Sequence, residues 1–289
     1  MTSYVFTVLF IAGFYSLLAL GLNITTGFAG QVSIGHAAFM AVGAYATAIL
    51  GTQLAWPPLA SIAAAVLLSG AVGVVLGLPS LRLREDFLVI VTLGMGLVVQ
   101  SLARYLPLTG GALGISNIPR LSLGGVPLGP AGYCAVVWTL VLLGVLVARA
   151  LDRSWFGLGL RSLRDDELAA AMLGWNVATL KILAFAAGAA YAGLGGAMFA
   201  HFMMFISPEM FGLSESIVIL AMIVLGGLGS IGGAVVGAVV LGTAPETLRW
   251  AADYRMTIHG LLLLAVIRFF PSGLLGWSVP PVARPRQGR

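Results

Sequence analysis

The stretch 217–245 reads IVILAMIVLGGLGSIGGAVVGAVVLGTAP, 29 positions without one charged side chain. As a straight α-helix it would run roughly 43 Å at about 1.5 Å per residue. A bilayer's hydrocarbon core is only about 30 Å thick. Gly226, Gly227, Gly229, Gly232 and Gly233 crowd its middle, where they weaken a helix and permit close backbone approach. The spacing therefore predicts two half-length legs folded about the glycines. The alternative is one tilted helix whose small residues pack a neighbour.

Outside this stretch the composition points the same way. The chain is 60% hydrophobic and 9% charged, with 39 glycines and a mean hydropathy of +1.04. Further apolar windows fall at about 3–22, 36–54, 58–78, 87–106, 131–151, 181–202 and 256–270. Lipid excludes unpaired backbone amides and hence open strands. The expected fold class is an all-α polytopic membrane protein of about 8 transmembrane segments, with a Gly-broken or re-entrant helix pair. The first 22 residues carry no charge and no basic leader region, which predicts an uncleaved first span rather than a signal peptide. Cys134 is the sole cysteine, excluding an intrachain disulfide and a multi-cysteine metal site.

The net charge of +5 reports orientation rather than nucleic-acid binding, because the arginines sit between apolar windows. Arg82 and Arg84, the five basic residues of 149–181 and the four of 268–289 make eleven of the fifteen Lys and Arg. They share one side, expected to be cytoplasmic, only if 217–245 goes in and comes back. The same count puts the N-terminus outside. A Pro-, Gly- and Ser-rich segment, 107–130, then reads as an ordered loop on the outer side, together with 207–215 and Glu209.

The longest charged segment is 149–181. Ser162 through Asp165 spell a capping box, which predicts a helix starting at Leu163. Asp165, Asp166 and Glu167 complement the dipole of its first turn, and Gly174 stands where a left-handed stop is needed. Leu168, Ala171, Met172 and Trp175 recur at three- and four-residue spacing and give one apolar face. A helix of roughly three turns is too short to span a bilayer. It is expected to be a surface that something presses from the water side. A faint internal echo pairs this architecture's two weak points: Ser33-Ile34-Gly35-His36-Ala37 follows Gly30, and Ser230-Ile231-Gly232-Gly233-Ala234 follows Gly229. Paired, glycine-interrupted apolar segments mark a transport pathway.

The run from Gly21, Leu22 and Asn23 through Gly27-Phe28-Ala29-Gly30-Gln31-Val32-Ser33-Ile34-Gly35-His36 to Tyr45 resembles the signature of LivM-type membrane subunits of branched-chain amino acid ABC importers. Three later stretches agree in order: Phe87 to Gly94 with Thr109, Gly110, Gly111 and Gly114; Phe156-Gly157 through Glu167, Ala169, Ala170, Gly174 and Asn176; and Phe205-Ile206-Ser207-Pro208 followed by Val224 to Ser230. The resemblance covers about residues 5–270. It implies a single transmembrane permease domain, 1–289, with a coupling-helix loop at 152–180 and a short basic tail at 271–289, in a bacterial cytoplasmic (inner) membrane. It implies a second, LivH-type permease, two cytoplasmic ATPase subunits and a periplasmic or lipid-anchored substrate-binding protein as partners. Coupling to the ATPase falls on Arg164, Asp165, Glu167, Leu168, Ala169, Ala170, Met172 and Gly174. The outer loop becomes a candidate dock for the binding protein, or stays an ordinary connection.

No catalysis is expected. The chain lacks a Gly-x-x-x-x-Gly-Lys-Ser/Thr phosphate loop, so ATP and magnesium belong to partner subunits and no cofactor is assigned here. His36, His201 and His259 have no metal-type spacing. Candidate pathway residues are Asn23, Thr25, Gln31, Ser33, His36, Thr92, Gln100, Gly226, Gly227, Gly229 and Ser230. His36 also fits a packed helix-end histidine, and Gln100 an interhelical hydrogen bond. The spans carry no buried charge pair, which disfavours ion-coupled transport. An importer of urea or short amides and a stand-alone channel remain the alternatives.

Overall fold

The computed structural model describes residues 2–81, 85–123, 126–247, 260, 268 and 273–275. Ten α-helices are present among them: α1 Thr2–Leu22, α2 His36–Thr52, α3 Pro58–Ser80, α4 Glu85–Tyr105, α5 Pro130–Arg153, α6 Trp155–Asp165, α7 Glu167–Met172, α8 Val177–Met203, α9 Leu213–Gly226 and α10 Ile231–Thr247. Six helical segments are long and apolar enough to cross a membrane: Tyr4–Phe28, Pro58–Ser80, Phe87–Tyr105, Pro130–Arg153, Val177–Met203 and Pro208–Gly226. Two shorter apolar helices, α2 and α10, accompany them. Most of the expected window at 256–270, Arg82 and Arg84, and most of the 271–289 tail lie outside the described residues.

The helix α8 is the central post. It runs against α2, α3 and α1, and α1 in turn packs on α5 and α10. Aromatic rings fill the α1–α8 contact: Phe10 stacks on Phe202 at 3.9 Å and Phe14 on Phe199 at 5.1 Å. With no hydrophobic drive between helices in lipid, van der Waals fit of this kind holds spans together. Ser69 of α3 lies against Gly193 of α8, and Gly77 against Ile182, so these two helices are antiparallel.

The stretch 217–245 folds as two legs. Helix α9 ends at Gly226, Gly227 to Ser230 turn the chain, and α10 returns. Gly226 and Gly233 face each other so closely that a Cβ on either would collide with the opposite backbone. Helix α9 is preceded by a tight turn, Pro208–Phe211, which completes its crossing length.

Helix α1 breaks in a corresponding way. It widens into a π-helical turn over Asn23–Phe28, and 29–35 continue without regular structure before α2 begins at His36. Such buried, irregular backbone needs partners. They come from two helices: Thr92 Oγ1 of α4 accepts from Ile34 N at 3.1 Å, and Ser216 Oγ of α9 accepts from Ala37 N at 3.1 Å.

The two ends of the bundle differ. At one end, 107–123 and 126–130 carry short strands: β1 Ile115–Ser116 pairs with β4 Phe205–Ile206, and β2 Ser122–Leu123 with β3 Val126–Pro127. These are absent from an all-α expectation; they sit beyond the spans, where backbone can pair without crossing lipid. His201 anchors this end, its Nδ1 2.7 Å from Pro119 O and its Nε2 2.9 Å from Thr47 Oγ1. The start of α1 lies at this end too, since Trp138 of α5 donates to Leu9 O. At the other end α6 meets both helix interruptions through Arg164. Leu274 N and Leu275 N donate there to Leu225 O and Gly226 O, so the chain has returned to the α6–α7 end by residue 273.

Candidate functional site

Between α5 and α8, the 149–181 segment holds two short helices rather than one. Ser154 caps α6, its Oγ accepting from Gly157 N at 3.3 Å. The predicted start at Leu163 is therefore corrected: α6 begins eight residues earlier at Trp155. Ser162 is spent inside α6, donating to Leu158 O at 3.1 Å. The break falls at Asp166, whose carboxylate accepts from Leu168 N at 2.8 Å and Ala169 N at 3.0 Å. A carboxylate makes the stronger, charge-assisted cap, and it starts α7. Gly174, at φ +86°, supplies the expected left-handed stop. Trp175 lies past that stop rather than on the α7 face, with its ring against Gly159 and 4.9 Å from the ring of Trp155.

The candidate coupling residues divide by direction. Leu168 and Met172 are 75% and 87% exposed, and Trp155 and Leu173 are exposed as well. Ala169 is exposed, and Ala170 is buried against the body of the protein. Glu167 turns back to α8, where both its oxygens accept from Lys181 Nζ at 2.8 Å. Lys181 also reaches Ser80 O at the end of α3. Asp165 is exposed. Arg164 crosses to the α1 interruption and donates from Nη1 to Gly27 O at 2.7 Å.

The candidate pathway residues form two groups and several singletons. Asn23 joins the two interruptions: its Oδ1 accepts from Gly229 N at 2.9 Å and its Nδ2 donates to Ser230 O at 3.3 Å. Gly27, Gly229 and Ser230 lie against it, and Arg164 reaches Gly27 and Gly229. The second group lies deeper, where Thr92 holds Ile34 and Ser33 Oγ accepts from Gly35 N. Beside it a shallow hollow is lined by Ile34, Leu93, Gly96, Leu97, Phe211, Gly212, Leu213 and Ser216. Thr25 bonds locally to Leu22 O. His36 is buried edge-on to Phe39 and against Gly21, with neither ring nitrogen hydrogen-bonded among the described residues. Gln100 donates to Pro208 O near the strand end of the bundle, an interhelical bond apart from both groups. Gly226 serves the α9–α10 contact, and Gly227 the turn after α9. Gln31 keeps both side-chain amide atoms buried without a hydrogen-bond partner among the described residues.

Sequence reasoning missed Lys181 and Asp166 as site residues, and it missed the contacts of Asn23 and Arg164. An Asp at a break in apolar periodicity signals a cap. The bridge from Asn23 to Gly229 spans 206 residues and leaves no local signal. Among the described residues no group of three His, Cys, Asp or Glu side chains is placed to hold a metal ion.

Comparison with known proteins agrees with this architecture. The model of the family "Branched-chain amino acid transport system / permease component" matches residues 4–267. The chain is 35% identical to the high-affinity branched-chain amino acid transport system permease protein LivM of Salmonella typhimurium, over 94% of this chain and 69% of that one. It is 28% identical to LivH of the same organism and 27% to BraD of Pseudomonas aeruginosa, each over 91% of both chains. No solved structure matches it. The multi-pass helical bundle with two glycine-interrupted spans thus belongs to the family of branched-chain amino acid transport system permease components.

Proposed function

We propose that this chain is one of two permease subunits of an ATP-driven importer for branched-chain amino acids in a bacterial cytoplasmic membrane. One observation carries the reading: α6–α7 exposes the apolar side chains of Trp155, Leu168, Met172 and Leu173 at the end where both interrupted helices meet. An amphipathic helix pair with such side chains exposed fits a groove of a cytoplasmic ATPase. The second permease is LivH-like, a choice supported by the chain's similarity to both LivM and LivH. A substrate-binding protein delivers cargo to the opposite end, where 107–130 and the Arg104–Glu209 ion pair are presented. ATP and magnesium stay on the ATPases, and this chain contributes the path and the lever.

The test is ATP hydrolysis by the reconstituted complex in lipid, with binding protein either empty or charged with leucine. Stimulation by the leucine-loaded form is the expected result. Stimulation by urea or a short amide alone would keep the machine and change the cargo. A chain that assembles with no ATPase would overturn the reading in favour of a channel.

A further inference from the structure

Three separate segments meet at one end of the bundle, and the guanidinium of Arg164, a part-exposed side chain, reaches between them. Arg164 is the last basic residue of α6. Its aliphatic stem lies on Gly30, where an added Cβ would be 3.2 Å from Arg164 Cγ and 3.3 Å from its Cα. Its Nη1 donates to Gly27 O at 2.7 Å. On the far side of that nitrogen is Gly229: a Cβ there would sit 2.6 Å from Nη1 and 3.2 Å from Gly27 O. Gly30 and Gly229 also carry φ values of +73° and +82°, so both positions favour glycine on two counts.

Asn23 completes the junction from within. Its amide accepts from Gly229 N and donates to Ser230 O, a two-point grip that a smaller or apolar side chain cannot reproduce. The α1 interruption is therefore bound to the α9–α10 turn through Asn23 and to α6 through Arg164. The remainder of the docking element is fastened elsewhere, since Glu167 binds Lys181, which reaches Ser80.

We infer that Arg164 is a positioning residue which transmits movement of α6–α7 to both helix interruptions at once, with Asn23 as the clasp between them. This rests on α6–α7 being the ATPase-docking element. Rigid contact matters here because packed elements switch between discrete arrangements rather than deforming smoothly. When α6 shifts, the charge-assisted bond to Gly27 either drags the π-helical turn with it or breaks. Because Asn23 joins that turn to Gly229 and Ser230, the second interruption follows the first. The two breaks then open and close together, instead of leaking one at a time.

The experiment measures leucine transported per ATP hydrolysed by the complete complex in proteoliposomes. Arg164→Met and Asn23→Ala are each expected to lower this ratio about ten-fold, the lower end of what losing a hydrogen bond to a charged or buried group costs. Arg164→Lys should recover part of it, because an ammonium can still reach the Gly27 carbonyl. A loss of fold lowers the amount of complex but not the ratio. An unchanged ratio in Asn23→Ala, or loss of the ATPases from the Arg164→Met complex, would overturn the tie. The docking reading is checked separately by Leu168→Asp, which should release the ATPases; their retention would sink that reading, whatever the ratio in the Arg164 variants.

Discussion

Lys181 is 7% exposed at its side chain, an ammonium in the second turn of α8. Such a charge is tolerated only when paired. Glu167, half exposed at 51%, is the partner, and Ser80 O takes part of the remaining donor capacity. Solvent on the glutamate side screens the pair, so its worth lies between an exposed and a buried ion pair, roughly 1–2 kcal/mol. Glu167→Ala should lower the melting temperature of the purified complex by stranding the ammonium. Glu167→Lys should lower it further through like-charge repulsion. Adding Lys181→Met to Glu167→Ala should restore most of the loss, as a double-mutant cycle reads out. Equal melting of Glu167→Ala and wild type would show the pair to be idle. Any transport defect of Glu167→Lys is thus a mixture of strain on α8 and weakened docking, and the cycle separates the two.

At the scale of elements, the α9–α10 hairpin depends on Gly226 and Gly233 meeting backbone to backbone. Gly226→Leu should push the legs apart, sharply reducing the yield of folded complex from detergent, because an isopropyl group has no space at that crossing. Normal yield and transport would contradict the close approach. This hairpin was legible in the sequence because length and glycine content both forbade one straight span. The α6–α7 break was less so. Ser162 to Asp165 satisfied a capping pattern, yet two overlapping caps competed and the carboxylate of Asp166 prevailed. Gly174 read correctly because a left-handed stop is a local backbone demand. Arg164 could be assigned to the coupling segment, but its inward direction is a tertiary fact: the contact with Gly27 spans 137 residues. The same holds for the short strands at the other end, whose pairing of β1 with β4 joins distant segments of two residues each.

For the molecule as a whole, the two ends carry different kinds of surface, and function follows if they face different compartments. Leu113 is 86% exposed in the strand-bearing end, and Leu168 is 75% exposed on α7 at the other. Helices α3 and α8 run antiparallel, and α10 returns alongside α9. Under the proposed importer function, the excess of Lys and Arg around 149–181 is expected to turn the α7 end to the cytoplasm. In a Cys134→Ala background, Leu113→Cys should therefore react with a membrane-impermeant maleimide in intact spheroplasts. Leu168→Cys should react only after the membrane is opened. Labelling of both from the same side would overturn the arrangement of ends. The complex adds a second arm: with the ATPases co-expressed, Leu168→Cys in opened membranes should lose most of its reactivity while Leu113→Cys keeps its own. Protection at Leu168 alone ties the topology to the docking surface, since a general change in membrane access would alter both positions together.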